Sequence, residues 1–372
     1  MGANIVHKQK RVVIIGGGIF GMSTAIILGE QGYQVTLLEK KYDVMREASM
    51  ANQNRIHLGY HYPRSAATAR ESLHGLTSFL EVYGSAIVSD FTKYYAISNY
   101  GSQITAEGFD QFCKEVELPL EPGWPSDSIL NKKLVESCWI VPEKIFDYYE
   151  LRQIAIQRIE NCDSIRVLRN VWPVGIEVGP PHRITLNNEC EISCDAIINA
   201  TYAGLGDMER LIGVPPTLYQ FELCVMPILE MDDPPSRFGI TMMDGAFCSL
   251  MPKGRERGQF ILYHVEHSVL QRETAFSCPS WSPVEGFVEL RIMEACQELF
   301  PIIKKMRCRD SWITTRVVIP NRDKDDARPT TLLDYGPDIY SVFSGKLTTC
   351  VEVARKILTL MREELSTRAL PI

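Results

Sequence analysis

Nothing in these 372 residues approaches the roughly 20 consecutive apolar positions that a membrane-crossing helix needs. The first apolar run, Val12 to Ile15, is also too short for the apolar core of a signal peptide. No C-x-x-C pair occurs among the 11 cysteines, and the spacing of Cys190 and Cys194 has no second pair to complete a zinc site, so no metal is expected. An odd number of scattered thiols suits a reducing compartment, and a cytoplasmic protein is the expectation. Excess positive charge is missing too. Lys and Arg number 39 against 46 Asp and Glu, a formal net charge of -7, which argues against nucleic acid as the main partner. There are no internal repeats and no low-complexity tract. What remains is an ordinary globular composition, long enough for two domains.

The chemistry begins at "RVVIIGGGIFGMSTAIILGEQGYQVTLLEK", residues 11 to 40. Val12 to Ile15 reads as a strand buried on both faces, as in parallel sheets. Gly16, Gly18 and Gly21 follow in G-x-G-x-x-G spacing, with Ile19 and Phe20 inside the turn. A helical apolar pattern covers Met22 to Glu30, Gly32 ends it, and a second strand runs from Gln34 to Leu38 and closes on Glu39. Gly16 permits the tight turn, Gly18 lets a pyrophosphate approach the backbone, and Gly21 lets helix and strand pack closely. The helix start offers free N–H groups and a positive dipole end to phosphate. Glu39 stands where an acid holds ribose hydroxyls, and it disfavours a 2′-phosphate. This unit predicts a bound dinucleotide without distinguishing FAD from NAD.

Two later segments make that distinction. "DAIINATYAG", 195 to 204, is a buried strand ending in small residues, with Ala200, Thr201 and Gly204 at its end. "IYSVFSGKLTT", 339 to 349, is a strand followed by Gly345, Lys346, Leu347, Thr348 and Thr349, which open a helix running to about Arg362. A second helix N-terminus has a task in a flavoenzyme, where its N–H groups stabilise the negative charge of reduced flavin.

With these three segments, the chain resembles the FAD-dependent oxidoreductases of the D-amino-acid oxidase superfamily. That group includes glycine and sarcosine oxidases, glycerol-3-phosphate dehydrogenase and L-2-hydroxyglutarate dehydrogenase. "GKLTT" is similar to the "GGKLTT" of the glycerol-3-phosphate dehydrogenases, with Ser344 in place of the first glycine, and "NRIHLGYHY", 54 to 62, is similar to a segment of the hydroxyglutarate dehydrogenases. The resemblance implies FAD as cofactor. It places Glu39 and Lys40 on the adenosine side and Arg46 and Ser49 near ribose and pyrophosphate. Val171, with Val174 as competitor, falls beside the adenine, and Asn54, Arg55 and Ile56 fall by the isoalloxazine.

The implied fold is α/β within an α+β whole: a Rossmann-type FAD-binding domain (8–85, 145–208, 330–366) and a mainly antiparallel-sheet substrate domain (86–144, 209–329). A cavity between the two would be the active site. The expected reaction removes a hydride from a C–N or C–OH carbon of a small amino- or hydroxy-acid-like metabolite and passes it to flavin N5. O2 or another electron acceptor then reoxidises the flavin.

The candidate catalytic residues are Arg55, His57, His61, Tyr62, His264 and Arg328. By the resemblance, Arg55 is comparable with an arginine that contacts flavin N5 in sarcosine oxidases, and the segment from His57 to Tyr62 lines the flavin. Arg328 is expected to clamp a carboxylate or phosphate, with Arg316 as second choice. In "YHVEHS", 263 to 268, strand alternation sends His264 and His267 to opposite faces, which rejects a metal pair. The strand lysine with which sarcosine oxidases activate oxygen has no counterpart in "QFILYHVEHS", and their covalent cysteine has none around 327–331, which leaves dehydrogenase chemistry open. Two other readings stand beside this one: a biosynthetic desaturase or hydroxylase acting on a larger or carrier-bound metabolite, and a non-catalytic flavin- or NAD-binding protein.

Overall fold

The computed structural model describes residues 10–284, 286–320 and 330–368. Arg328, the expected clamp, lies outside the described residues.

The run Arg11–Ile15 becomes an inner strand of a six-stranded sheet, as its all-apolar character requires. Across the sheet the order is Thr331–Asp334, Ile339–Phe343, Ala196–Asn199, Arg11–Ile15, Gln34–Glu39 and Ile165–Arg169. Every pairing is parallel except that of the edge strand Thr331–Asp334. Helices Ile19–Glu30, Tyr148–Glu160 and Cys350–Arg368 cover one face in a continuous apolar core. On the other face lie a three-stranded antiparallel sheet within 173–194 and the helix Leu205–Ile212. The first helix starts at Ile19, three residues before the sequence pattern suggests, because its N-cap is Gly18 in the glycine turn itself.

The second large sheet has nine strands, drawn from 92–141 and 219–318. Its long strand Tyr219–Glu230 pairs with Gln259–His264, Val269–Ala275 and Arg307–Val318. Thr92–Ser98 runs parallel to Phe238–Met243, which breaks an otherwise antiparallel pattern. The sequence suggests strands with one wet face, but Phe238–Met243 and Cys248–Pro252 are buried throughout. Their outer face is covered by the helix Val288–Cys296 and the turn Pro301–Lys305, which share one core with them. That helix is shorter than the 284–299 its sequence suggests.

A small third element positions the site. Arg55–Ile56 pairs antiparallel with Lys144–Phe146, in the register Arg55 to Ile145 and Ile56 to Lys144. Two residues far apart in the chain, His57 and Glu143, are next in that register.

Candidate functional site

Between the two large sheets lies a cavity of about 1230 Å³. Drug-sized ligands occupy roughly 300–1,000 Å³, so this volume suits a dinucleotide together with a substrate. One end is the glycine turn. Gly16 adopts φ 107°, and a Cβ there would meet the Ala200 carbonyl oxygen at 2.5 Å. A Cβ on Gly21 would meet the Gly16 oxygen at 1.9 Å, whereas one on Gly18 would meet only Ser49 Oγ, at 3.3 Å. Gly21 therefore serves packing, away from the cavity, while Gly16, Gly18, Ile19 and Phe20 line it. The helix start at Gly18 has no side-chain cap. The Ile19 N–H donates to Ser49 Oγ at 2.9 Å, which ties Ser49 to the phosphate turn.

Glu39 is held by two backbone donors. Gly17 N–H reaches Oε2 at 2.8 Å and Lys41 N–H reaches Oε1 at 2.7 Å. Its carboxylate is thus fixed at the mouth of the turn with acceptor capacity remaining. Lys40, Lys41, Arg46 and Arg210 bring positive charge to this end of the wall. Arg46 Nη2 donates to Tyr42 Oη at 2.9 Å. Val171 lines the wall and donates its N–H to the Glu39 carbonyl at 3.0 Å. Its competitor Val174 lines the same wall. Ala200, Thr201 and Gly204 also border the cavity, and Thr201 caps back onto Asn199 Oδ1.

At the far end, Gly345, Lys346, Leu347 and Thr348 face the cavity. Thr349 is turned into the protein, its hydroxyl shared between the Lys346 carbonyl and Thr330. Thr330 Oγ1 also accepts the Gly345 and Lys346 N–H groups, at 3.1 and 3.3 Å. Lys346 Nζ is buried, donates to the Thr68 carbonyl at 2.9 Å and lies 5.0 Å from the Tyr62 ring centre.

Strand alternation sorts the triplet 54–56. Arg55 faces the cavity, whereas Ile56 enters the core beneath it. Asn54, at φ 54°, lies outside the main cavity, and both side-chain polar atoms are buried without a partner among the described residues. Of these three residues expected at the isoalloxazine, only Arg55 borders this cavity. Arg55 Nε and Nη2 are likewise buried without a hydrogen-bond partner among the described residues. His57 and Tyr62 also line the cavity, but His61 does not. Tyr60 points the other way and donates to the Pro119 carbonyl at 2.6 Å.

The nine-stranded sheet supplies the opposite wall through Cys224, Met226, Tyr263, Thr314, Thr315 and Arg316. Arg316, the second-choice clamp, donates from Nε to Glu222 Oε2 at 2.6 Å and from Nη1 to Tyr263 Oη at 2.9 Å. Arg272 and Gln220 reach the other oxygen of Glu222. Burial pushes the Glu222 carboxyl up, but the two arginines outweigh it and hold it below its ordinary value. Arg316 is therefore spent on Glu222 and Tyr263.

His264 departs from its expected place. It is absent from the cavity wall and sits at the start of a tight turn, where its Nδ1 accepts the N–H groups of Glu266 and His267, each at 3.2 Å. Strand alternation stops at that turn, so His264 and His267 do not diverge and their ring centres lie 4.4 Å apart. Among the described residues no group of three or more potential ligands could hold a metal. Burial, then His267, lowers His264 to about 4. A histidine whose folded pKa is depressed stabilises the fold above its ordinary value near 6.5, and that stability is lost as pH falls toward 4. Melting temperature is therefore expected to decline from pH 7 to 4. His264→Asn, which keeps an acceptor for the two N–H groups, should flatten that decline in a pH series of thermal melts. An identical slope in both proteins would contradict this.

Sequence reasoning missed Glu143 and Thr314. Neither carries a local signal, since each arrives by long-range strand pairing.

The glycine turn that lines the cavity, the anchored acid and the buried unpaired guanidinium fit FAD. The comparisons with known proteins agree. The family model described as "FAD dependent oxidoreductase" (DAO) matches residues 11–342. The chain is similar to the FAD-dependent monooxygenase FPY4 of Fusarium mangiferae, at 24% identity over 94% of this chain and 91% of that protein. It is 36% identical to the FAD-dependent monooxygenase kojA of Aspergillus flavus over 71% of this chain and 64% of that one. In fold it is similar to glycine oxidase from Geobacillus kaustophilus, with a TM-score of 0.73 at 13% identity over 95% of each chain. Among the described residues no helix is long and apolar enough to cross a membrane. The NAD-module and non-catalytic readings give way to these findings: the chain belongs to the DAO family of FAD-dependent oxidoreductases, an enzyme family whose cofactor is FAD.

Proposed function

We propose that this enzyme oxidises a C–N or C–OH carbon of a small amino- or hydroxy-acid-like metabolite. The parallel sheet serves as the cofactor domain and the nine-stranded sheet as the substrate domain. The observation that carries this reading is the guanidinium-bearing Arg55 in the cavity wall, with Nε and Nη2 buried and without a partner among the described residues, beside His57 and Tyr62 and opposite Tyr263 and Thr314. When bound, FAD supplies two-electron acceptance at its isoalloxazine ring.

The protein side of the reaction follows from this wall. Arg55 binds an anionic group and orients the substrate. His57 accepts the proton of the donor nitrogen or oxygen. Tyr62, with the Lys346 ammonium against its ring, closes the wall beside His57. Met226 and Cys224 set an apolar patch into the opposite wall, beside Tyr263, Thr314, Thr315 and Arg316. Gly345 to Thr348 present the second helix start to the cofactor. The acid anchored at Glu39 takes the ribose, and the turn from Gly16 to Phe20 takes the pyrophosphate.

The two fungal relatives are FAD-dependent monooxygenases, which favours a second reading, oxygenation. Anaerobic mixing of the FAD-loaded protein with a panel of amino acids, secondary amines and 2-hydroxy acids separates the two. The proposed function predicts bleaching of the flavin band by at least one small acid and none by NADH or NADPH. Bleaching by a reduced nicotinamide alone, with no response to the panel, would favour oxygenation.

A further inference from the structure

Behind His57 lies a buried group that no step above uses. Glu143 is 2% exposed, in the two-residue link between the strands Val135–Val141 and Lys144–Phe146. Its Oε2 accepts the Tyr95 hydroxyl at 2.9 Å. Its Oε1 is buried with no hydrogen bond among the described residues, and lies 4.0 Å from His57 Nδ1. A buried carboxylate oxygen left half-satisfied is costly and points to a partner that completes it.

We propose, resting on the reading of His57 as base, that Glu143 is the positioning residue for that base. Its Oε1 takes the His57 Nδ1–H and leaves Nε2 toward the cavity as the proton acceptor. The logic is that of any carboxylate-oriented imidazole: one ring nitrogen is fixed by its hydrogen bond, and so the other is made the base. A separation of 4.0 Å is longer than a hydrogen bond, and such contacts tighten once substrate is in place. The backbone favours the approach, because His57 and Glu143 are next in the register that pairs Ile56 with Lys144. Tyr95 fixes the other carboxylate oxygen, so rotation of Glu143 would cost that bond.

The charges around Glu143 come from three elements. Arg55 and His57 belong to the flavin-side segment, with Tyr60 beyond them. Lys93 and Tyr95 come from the strand Thr92–Ser98, and Cys138 from Val135–Val141. Lys93 Nζ lies 4.6 Å from the Tyr95 ring centre, donates to Thr241 Oγ1 and meets Met251 Sδ at 3.1 Å. Burial, then the charge of Arg55, holds Lys93 well below its ordinary value, while Glu143 and Cys138 pull it up. Burial and Glu143 raise Tyr95 well above its own. Tyr95 is thus kept protonated as a donor to Glu143.

The test is an NMR titration of imidazole-labelled, FAD-loaded protein, with the His57 signal assigned by its loss in His57→Asn. Wild type is expected to show Nδ1–H as the tautomer of neutral His57. Glu143→Gln, which keeps an acceptor for Tyr95, is expected to titrate His57 at a pH lower by about one unit. Tyr95→Phe should give a smaller shift in the same direction, and it carries the test if Glu143→Gln does not fold. Where a reducing substrate is known, the acidic limb of the reduction rate should move with the His57 titration. Unchanged titration of His57 in the variants, or an Nε2–H tautomer in wild type, overturns the proposal. A shifted titration in a protein whose flavin no small acid reduces would leave the dyad standing and reject the function on which it was built.

Discussion

Arg55→Met is expected to slow flavin reduction by about 10²-fold or more, the scale seen when one preorganised donor to developing charge is removed. Arg55 is 4% exposed and lines the cavity, and its Nε and Nη2 are buried with no partner among the described residues. An unfilled buried guanidinium costs several kcal/mol of desolvation at order of magnitude, and occupation of the cavity relieves it. The variant also separates two roles in anaerobic stopped-flow kinetics. If Arg55 clamps the substrate, its apparent dissociation constant rises with the loss of rate. If it acts on the cofactor, the rate falls with binding unchanged. Arg55→Lys keeps the charge but loses the planar fork, and should recover only part of the activity. A reduction rate in Arg55→Met within about threefold of wild type, under half a log unit of barrier, would contradict the assignment.

Gly21→Ala is expected to remove bound FAD almost entirely and to lower thermal stability by several degrees. The new Cβ would stand 1.9 Å from the Gly16 oxygen, with no flexible side chain to yield. The backbone of the phosphate turn must move, and overpacking of a tight site costs about 1–3 kcal/mol or more. Because the displaced turn carries the backbone that lines the cavity at Gly16 and Gly18, stability and cofactor binding fail together. Gly18→Ala is the informative companion. Its Cβ meets only the Ser49 hydroxyl at 3.3 Å, so the fold should persist while FAD binding weakens. Flavin content by absorbance and melting by calorimetry check both. Equal flavin content in wild type and Gly21→Ala would contradict this account of the turn.

The parts legible in the sequence were those with local causes. The strand Arg11–Ile15, the glycine turn and the helix after it follow from apolar runs and three glycines within 30 residues. For the segment from 54 to 62, which of its side chains face the cavity was not legible. Alternation over the two residues Arg55 and Ile56, and a turn with Gly59 at φ 115°, decide that His57 and Tyr62 face it while Tyr60 and His61 do not. His264 was misplaced because the strand ends on it, and the turn that follows brings His267 back against it. Glu143 and Lys93 were invisible for the opposite reason. Each sits in an unremarkable local sequence, and only pairing across about 90 and 150 residues respectively, between Ile56 and Lys144 and between Tyr95 and Thr241, gives it neighbours.

The central claim is that a C–H bond of a small acid breaks as the flavin is reduced. Anaerobic single-turnover reduction of the FAD-loaded protein, with a reducing acid from the panel and with the same acid carrying deuterium on its donor carbon, tests it directly. The expected result is complete bleaching by both, several-fold slower with deuterium and independent of any nicotinamide. Flavin that stays oxidised with every small acid and is reduced only by NADH or NADPH would contradict it.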